Sequence, residues 1–118
     1  MEPILVVDSD QNIADTLDRV LRTAGFRVKA FYDHNAALLF IETNSPAVAL
    51  VEAVAPEHFG LVRELCQKSA ATPTILMAGR EVSDFPKRAM RAGAAGFLLK
   101  PFSNAELIAS VKSHLSTI

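Results

Sequence analysis

A single cysteine, Cys66, among 118 residues has no partner for an internal disulfide and suits a reducing, cytoplasmic setting. No apolar run approaches the roughly 20 residues that a membrane-spanning helix needs. An acidic residue and a proline follow Met1, so no secretory signal peptide is expected. Neither sign of charge dominates. Twelve basic residues against 13 acidic ones give a formal net charge of −1, which does not suggest a binder of nucleic acid or another polyanion. Repeats, low-complexity tracts and linker-like stretches are missing too, and the length suits one domain over residues 1–118.

What is present is apolar. Half of the residues are hydrophobic, enough for a real core. The run from Pro46 to Pro56 is short, rich in Val and Leu, and bracketed by prolines, as for a strand buried on both faces of a parallel sheet. Near its end stands one carboxylate, Glu52. Similar runs place strands at about 3–8, 26–32, 73–78 and 96–99, with the central one at 47–53. Between them lie helical patterns. Ile13, Leu17, Val20, Leu21 and Ala24 mark the first, capped by Ser9 or Asp10 and ended by Gly25. Ala37, Leu38, Phe40 and Ile41, after Asp33, mark the second; Leu61, Val62, Leu65 and Cys66 mark the third. Asp84 is placed to cap a fourth, carrying Ala89, Met90 and Ala92. Ser103 to Glu106 is a capping box opening the last, with Leu107, Ile108, Val111 and Leu115 on one face.

Five alternations of strand and helix, joined by right-handed crossovers, give an α/β doubly wound, flavodoxin-like (βα)5 sandwich with a parallel five-stranded sheet. The common strand order for this size is 2-1-3-4-5. Strands 1 and 3 then adjoin, so Asp8 and Glu52 meet at their C-terminal ends, where such sheets bind ligands. Strand 4 brings Ala78 and strand 5 brings Lys100. A ligand binder of the same architecture but unrelated origin ranks low, because no glycine-rich, phosphate-cradling loop follows strand 1.

Ile4-Leu5-Val6-Val7-Asp8, Pro73-Thr74-Ile75-Leu76-Met77 and above all the stretch from Arg91 to Phe102, ending in Lys100-Pro101-Phe102, carry a resemblance over essentially the whole chain. It resembles the receiver domain of bacterial two-component response regulators. That resemblance implies phosphoryl transfer from a histidine kinase to an aspartate ending strand 3. It also implies Mg²⁺ held there with two acids after strand 1, a Ser or Thr ending strand 4, a lysine ending strand 5, and often a cis bond before the following proline. This sequence departs at three of the five positions. Glu52 stands at the phosphoacceptor, Ser9 at the second acid and Ala78 at the hydroxyl; Asp8 and Lys100 remain. Phe97 occupies the switch-aromatic position. The face of helix 4, strand 5 and helix 5, which carries dimerisation and effector contacts in the family, would include Lys87, Arg88, Arg91, Asn104 and Lys112.

The departures imply a degenerate pocket. Mg²⁺ demands near-ideal octahedral oxygen ligation, and Ser9 withdraws an anionic ligand. Glu52 reaches one methylene further than aspartate, into the space of the phosphoryl group, and a misplacement of about 1 Å can cost on the order of 100-fold in rate. Three expectations follow: a pseudo-receiver acting as a non-enzymatic protein-interaction module, Mg²⁺ binding that is weak or absent, and a Glu52–Lys100 ion pair. A protein partner or effector domain, a histidine kinase, or a second copy would be its partners. The competing expectation is a working phosphoacceptor using Glu52 or Asp8. Plainer readings stand beside these. Ser9 is equally a helix cap, Ala78 packing, Asp10 a first-turn acid at a helix N-terminus, the basic residues of helix 4 a solvated face, and Cys66 a core residue. His34, His58 and His114 receive no role.

Overall fold

The computed structural model describes residues 2–68, 70–79 and 82–115. Its elements are β1 (Ile4–Val7), α1 (Gln11–Thr23), β2 (Val28–Phe31), α2 (His34–Ile41), β3 (Val48–Glu52), α3 (Pro56–Lys68), β4 (Thr74–Ala78), α4 (Phe85–Arg91), β5 (Gly96–Leu99) and α5 (Asn104–His114). The strands form one parallel sheet in the order β2-β1-β3-β4-β5, as expected. β1, β3 and β4 are buried along their whole length, which is why they read as continuous apolar runs rather than alternations.

Successive side chains still point to opposite faces. Leu5, Val7, Ala49, Val51, Leu76 and Ala78 join the core under α2, α3 and α4. Ile4, Val6, Val48, Leu50, Ile75 and Met77 join the core under α1 and α5. Asp8 and Glu52 continue the second parity. Val7 pairs with Val51 on the last β1–β3 rung, so the two acids emerge side by side, one step beyond it, on the α1–α5 face.

Local chemistry sets the helix ends. Asp10, not Ser9, caps α1, its carboxylate accepting from the Asn12 and Ile13 amides. Gly25 follows with a positive φ of 100° that a residue with a Cβ rarely adopts. The capping box of Ser103 and Glu106 is formed. One expectation fails at α4. Asp84 stands at the N-cap but in left-handed geometry, with no side-chain cap bond. Met90 lies in α4 as expected and is exposed, because Phe85, Ala89 and Ala92 form the inward stripe and Met90 lies well round the helix from it. Ala24 is likewise exposed, with Ala14 taking its place in the α1 stripe. Among the described residues no helix is long and apolar enough to cross a membrane.

Candidate functional site

Asp8, Ser9, Glu52, Ala78 and Lys100 converge at the C-terminal edge of the sheet. Asp8 is fully buried and has two partners. Its Oδ2 accepts from Lys100 Nζ at 2.8 Å, and its Oδ1 accepts from the Asp10 amide at 2.9 Å. The lysine stem reaches down from the end of β5, and the Lys100 amide donates to the Ala78 carbonyl at 2.8 Å, which fixes where that stem begins. The Lys100–Pro101 bond is cis.

Glu52 does not reach Lys100, and the expected ion pair does not form. Its carboxylate turns instead onto Ser9. Oε2 accepts from the Ser9 amide at 2.7 Å and Oε1 from the Ser9 hydroxyl at 2.9 Å. The physical reason is twofold. Lys100 is already engaged by Asp8, and the β1–α1 loop offers a two-donor fork at the positive end of α1. Glu52 is only 6 % exposed, so this fork is what makes its burial tolerable. Ser9 and Glu52 are therefore matched: the longer acid spans the gap, and the shorter hydroxyl residue leaves room and donates. An acid at position 9 would face Glu52 with like charge.

Ala78 is fully buried and brings only a methyl group to this edge. Phe97 is partly exposed, with its ring edge-on to Phe85 at 5.9 Å.

Two residues without a role in the sequence reading belong here. The His34 and His58 rings stack 4.0 Å apart and 6° from parallel. His34 Nε2 lies 3.3 Å from the Glu52 carbonyl oxygen, while His58 Nδ1 accepts from the Val54 and Ala55 amides at 3.1 and 3.2 Å, helping to cap α3. Ring nitrogens of both and a Glu52 oxygen lie within 4.8 Å of one another. The stacked pair walls the site beside Glu52, and the Nδ1 of His58 is occupied by the two amides. The only sequence signal was their shared place in the first turn of neighbouring helices. His114 lies elsewhere, its ring nitrogens 2.8 Å from the Ser110 carbonyl and 3.3 Å from that of Ala95, tying α5 to the start of β5.

The expected helix 4–strand 5–helix 5 face is partly redistributed. Arg88 and Arg91 line a recess shared with α3, and Asn104 lines grooves against α1. Lys87 and Lys112 are exposed. The large apolar side chains that α4 and β5 expose are Met90, Phe97 and Leu99. Cys66 is half-buried beside the Gly93 carbonyl, and burial pushes its thiol pKa up, away from reactivity.

Comparison with known proteins places this geometry. The family model described as response regulator receiver domain matches residues 4–112. Regulatory protein VanRc of Enterococcus gallinarum is 29% identical over 116 residues, covering 97% of this chain and 50% of that protein. The chain thus spans about half the length of this curated relative. A putative response regulator from Chloroflexus aurantiacus superimposes with a TM-score of 0.88 at 28% identity, covering 98% of each chain. The receiver domain of NtrX from Brucella abortus gives 0.88 at 25% identity, covering 98% of this chain and 99% of that one.

Proposed function

The chain belongs to the response regulator receiver domain family of two-component signalling, and from that premise we propose that it acts as a phosphorylation-independent protein-interaction module. The Glu52 fork onto Ser9 is the observation that carries this reading. A phosphoacceptor must present a free carboxylate oxygen to the incoming phosphorus. Here both oxygens of Glu52 are hydrogen-bonded, and the group is turned away from the lysine that would neutralise the transferred charge.

The family's Mg²⁺ fits this donor set poorly. Asp8 has one oxygen on an ammonium and one on an amide, Glu52 has both on Ser9, and position 9 offers no carboxylate. Binding would require breaking these bonds to build an octahedral shell that remains short of anions. Ala78 lacks the hydroxyl that would hold a phosphoryl oxygen. In this reading the domain has no catalytic role and works through its surface. The apolar Met90, Phe97 and Leu99 make the α4–β5–α5 side its contact face for an effector domain, a kinase or a second copy.

Incubation with acetyl phosphate and Mg²⁺, followed by intact-mass spectrometry in acid, is expected to give no phosphoryl adduct. An adduct mapped to Glu52 or Asp8 would establish the working phosphoacceptor instead.

A further inference from the structure

On the flank of α4 that faces α3, a recess of about 310 Å³ is lined by Phe59, Arg63, Arg88, Arg91 and Ala92. Helical spacing builds it: Phe59 and Arg63 are one turn apart on α3, Arg88 and Arg91 one turn apart on α4. Phe59 is buried and forms the floor, and the Arg88 guanidinium carbon lies 4.6 Å above its ring centroid. That stacking orients the guanidinium without using its hydrogen-bond donors. Arg63 and Arg91 are exposed at the rim. Among the described residues none of the three arginines forms an ion pair, although the chain carries one more acid than base.

We propose that this recess docks an acidic segment of a protein partner, one presenting two or more carboxylates side by side. Guanidinium forks match carboxylates in shape, and three of them around one floor concentrate positive potential on a protein that is otherwise near neutral. A free small anion fits less well, because solvent screens the two rim arginines and a lone anion gains nothing from linkage. A peptide presents its second carboxylate at high effective concentration once the first is bound. The surface lies apart from Asp8, Glu52 and Lys100, so the inference stands whether or not that pocket takes a phosphoryl group.

The test titrates a fluorescein-labelled hexaglutamate peptide into the full chain, read by anisotropy and by amide NMR. Saturable binding is expected, weakened by added salt, with shifts centred on residues 59–63 and 88–92. The Arg63→Ala/Arg91→Ala variant is expected to bind about tenfold more weakly, two exposed ion pairs being lost. Lys87→Ala/Lys112→Ala is expected to bind as the parent does. Both pairs are exposed, so folding is not at stake. Absence of binding, shifts centred elsewhere, an unchanged affinity in the double arginine variant, or equal shifts from inorganic phosphate at the same concentration would each overturn the proposal.

Discussion

Replacing three residues together, Ser9→Asp, Glu52→Asp and Ala78→Thr, is expected to turn an unlabelled chain into one that takes a phosphoryl group from acetyl phosphate in the presence of Mg²⁺. The gain over the parent should be at least on the order of 100-fold, the size a 1 Å correction of a reacting group can have. The backbone is already placed for it. Asp8 and residue 52 leave adjacent strands one step past the Val7–Val51 rung, and Lys100 rises beside them. What the parent lacks is a retracted carboxylate at 52, a second anionic ligand at 9 and a hydroxyl at 78. Single changes are expected to fall short for different reasons. Ser9→Asp alone sets a second carboxylate against Glu52, which loses the Ser9 hydroxyl bond, keeps only the backbone amide of residue 9 as donor and gains a like charge. Glu52→Asp alone frees the phosphoryl space but leaves the metal without its second acid. Rates of adduct formation by mass spectrometry separate these variants. Labelling of Glu52→Asp at the rate of the triple variant would show that Ser9 and Ala78 are not what disables the pocket.

Lys100→Ala is expected to destabilise the fold by about 3 kcal/mol, the lower end of what breaking a buried ion pair costs. The lower end applies because the lysine side chain is 23% exposed, whereas Asp8 is wholly buried and would keep only the Asp10 amide as partner. Urea unfolding should show a shifted midpoint with an unchanged slope, since the surface exposed on unfolding stays the same. Lys112→Ala, at an exposed position, is expected to stay within about 0.5 kcal/mol of the parent. A Lys100→Ala variant as stable as Lys112→Ala would mean the ion pair contributes little. Removing the carboxylate as well, in Asp8→Ala/Lys100→Ala, should recover part of the loss, because no unpaired charge then remains buried.

The sheet was legible in the sequence because β1, β3 and β4 are buried on both faces and so read as unbroken apolar runs. The ends of β2 were not. The observed strand is Val28–Phe31, and Tyr32, though a good strand former, is exposed beyond its last pair. The inward stripe of α4 was not readable either, because the helix has only seven residues, too few for a periodicity to show which face is buried. Topology brought Asp8, Glu52, Ala78 and Lys100 together and the family resemblance added Ser9, so the membership of the pocket was readable. Its pairing was not. Glutamate can swing to Lys100 or to Ser9, and the choice turns on a backbone N–H of Ser9, a donor every non-proline residue carries and no residue type advertises. The His34–His58 stack was hidden for a related reason: helix packing, not spacing along the chain, brings α2 and α3 together.

In the proposed reading the carboxylates of Glu52 and Asp8 stay engaged, by Ser9 and by Lys100 with the Asp10 amide, and do not jointly ligate a hard cation. A Mg²⁺ titration into the millimolar range, followed at the backbone amides of Asp8, Ser9, Glu52 and Lys100, tests it most directly. No saturable shift at these amides is expected. Shifts that saturate at millimolar Mg²⁺ and disappear in Glu52→Gln would contradict it.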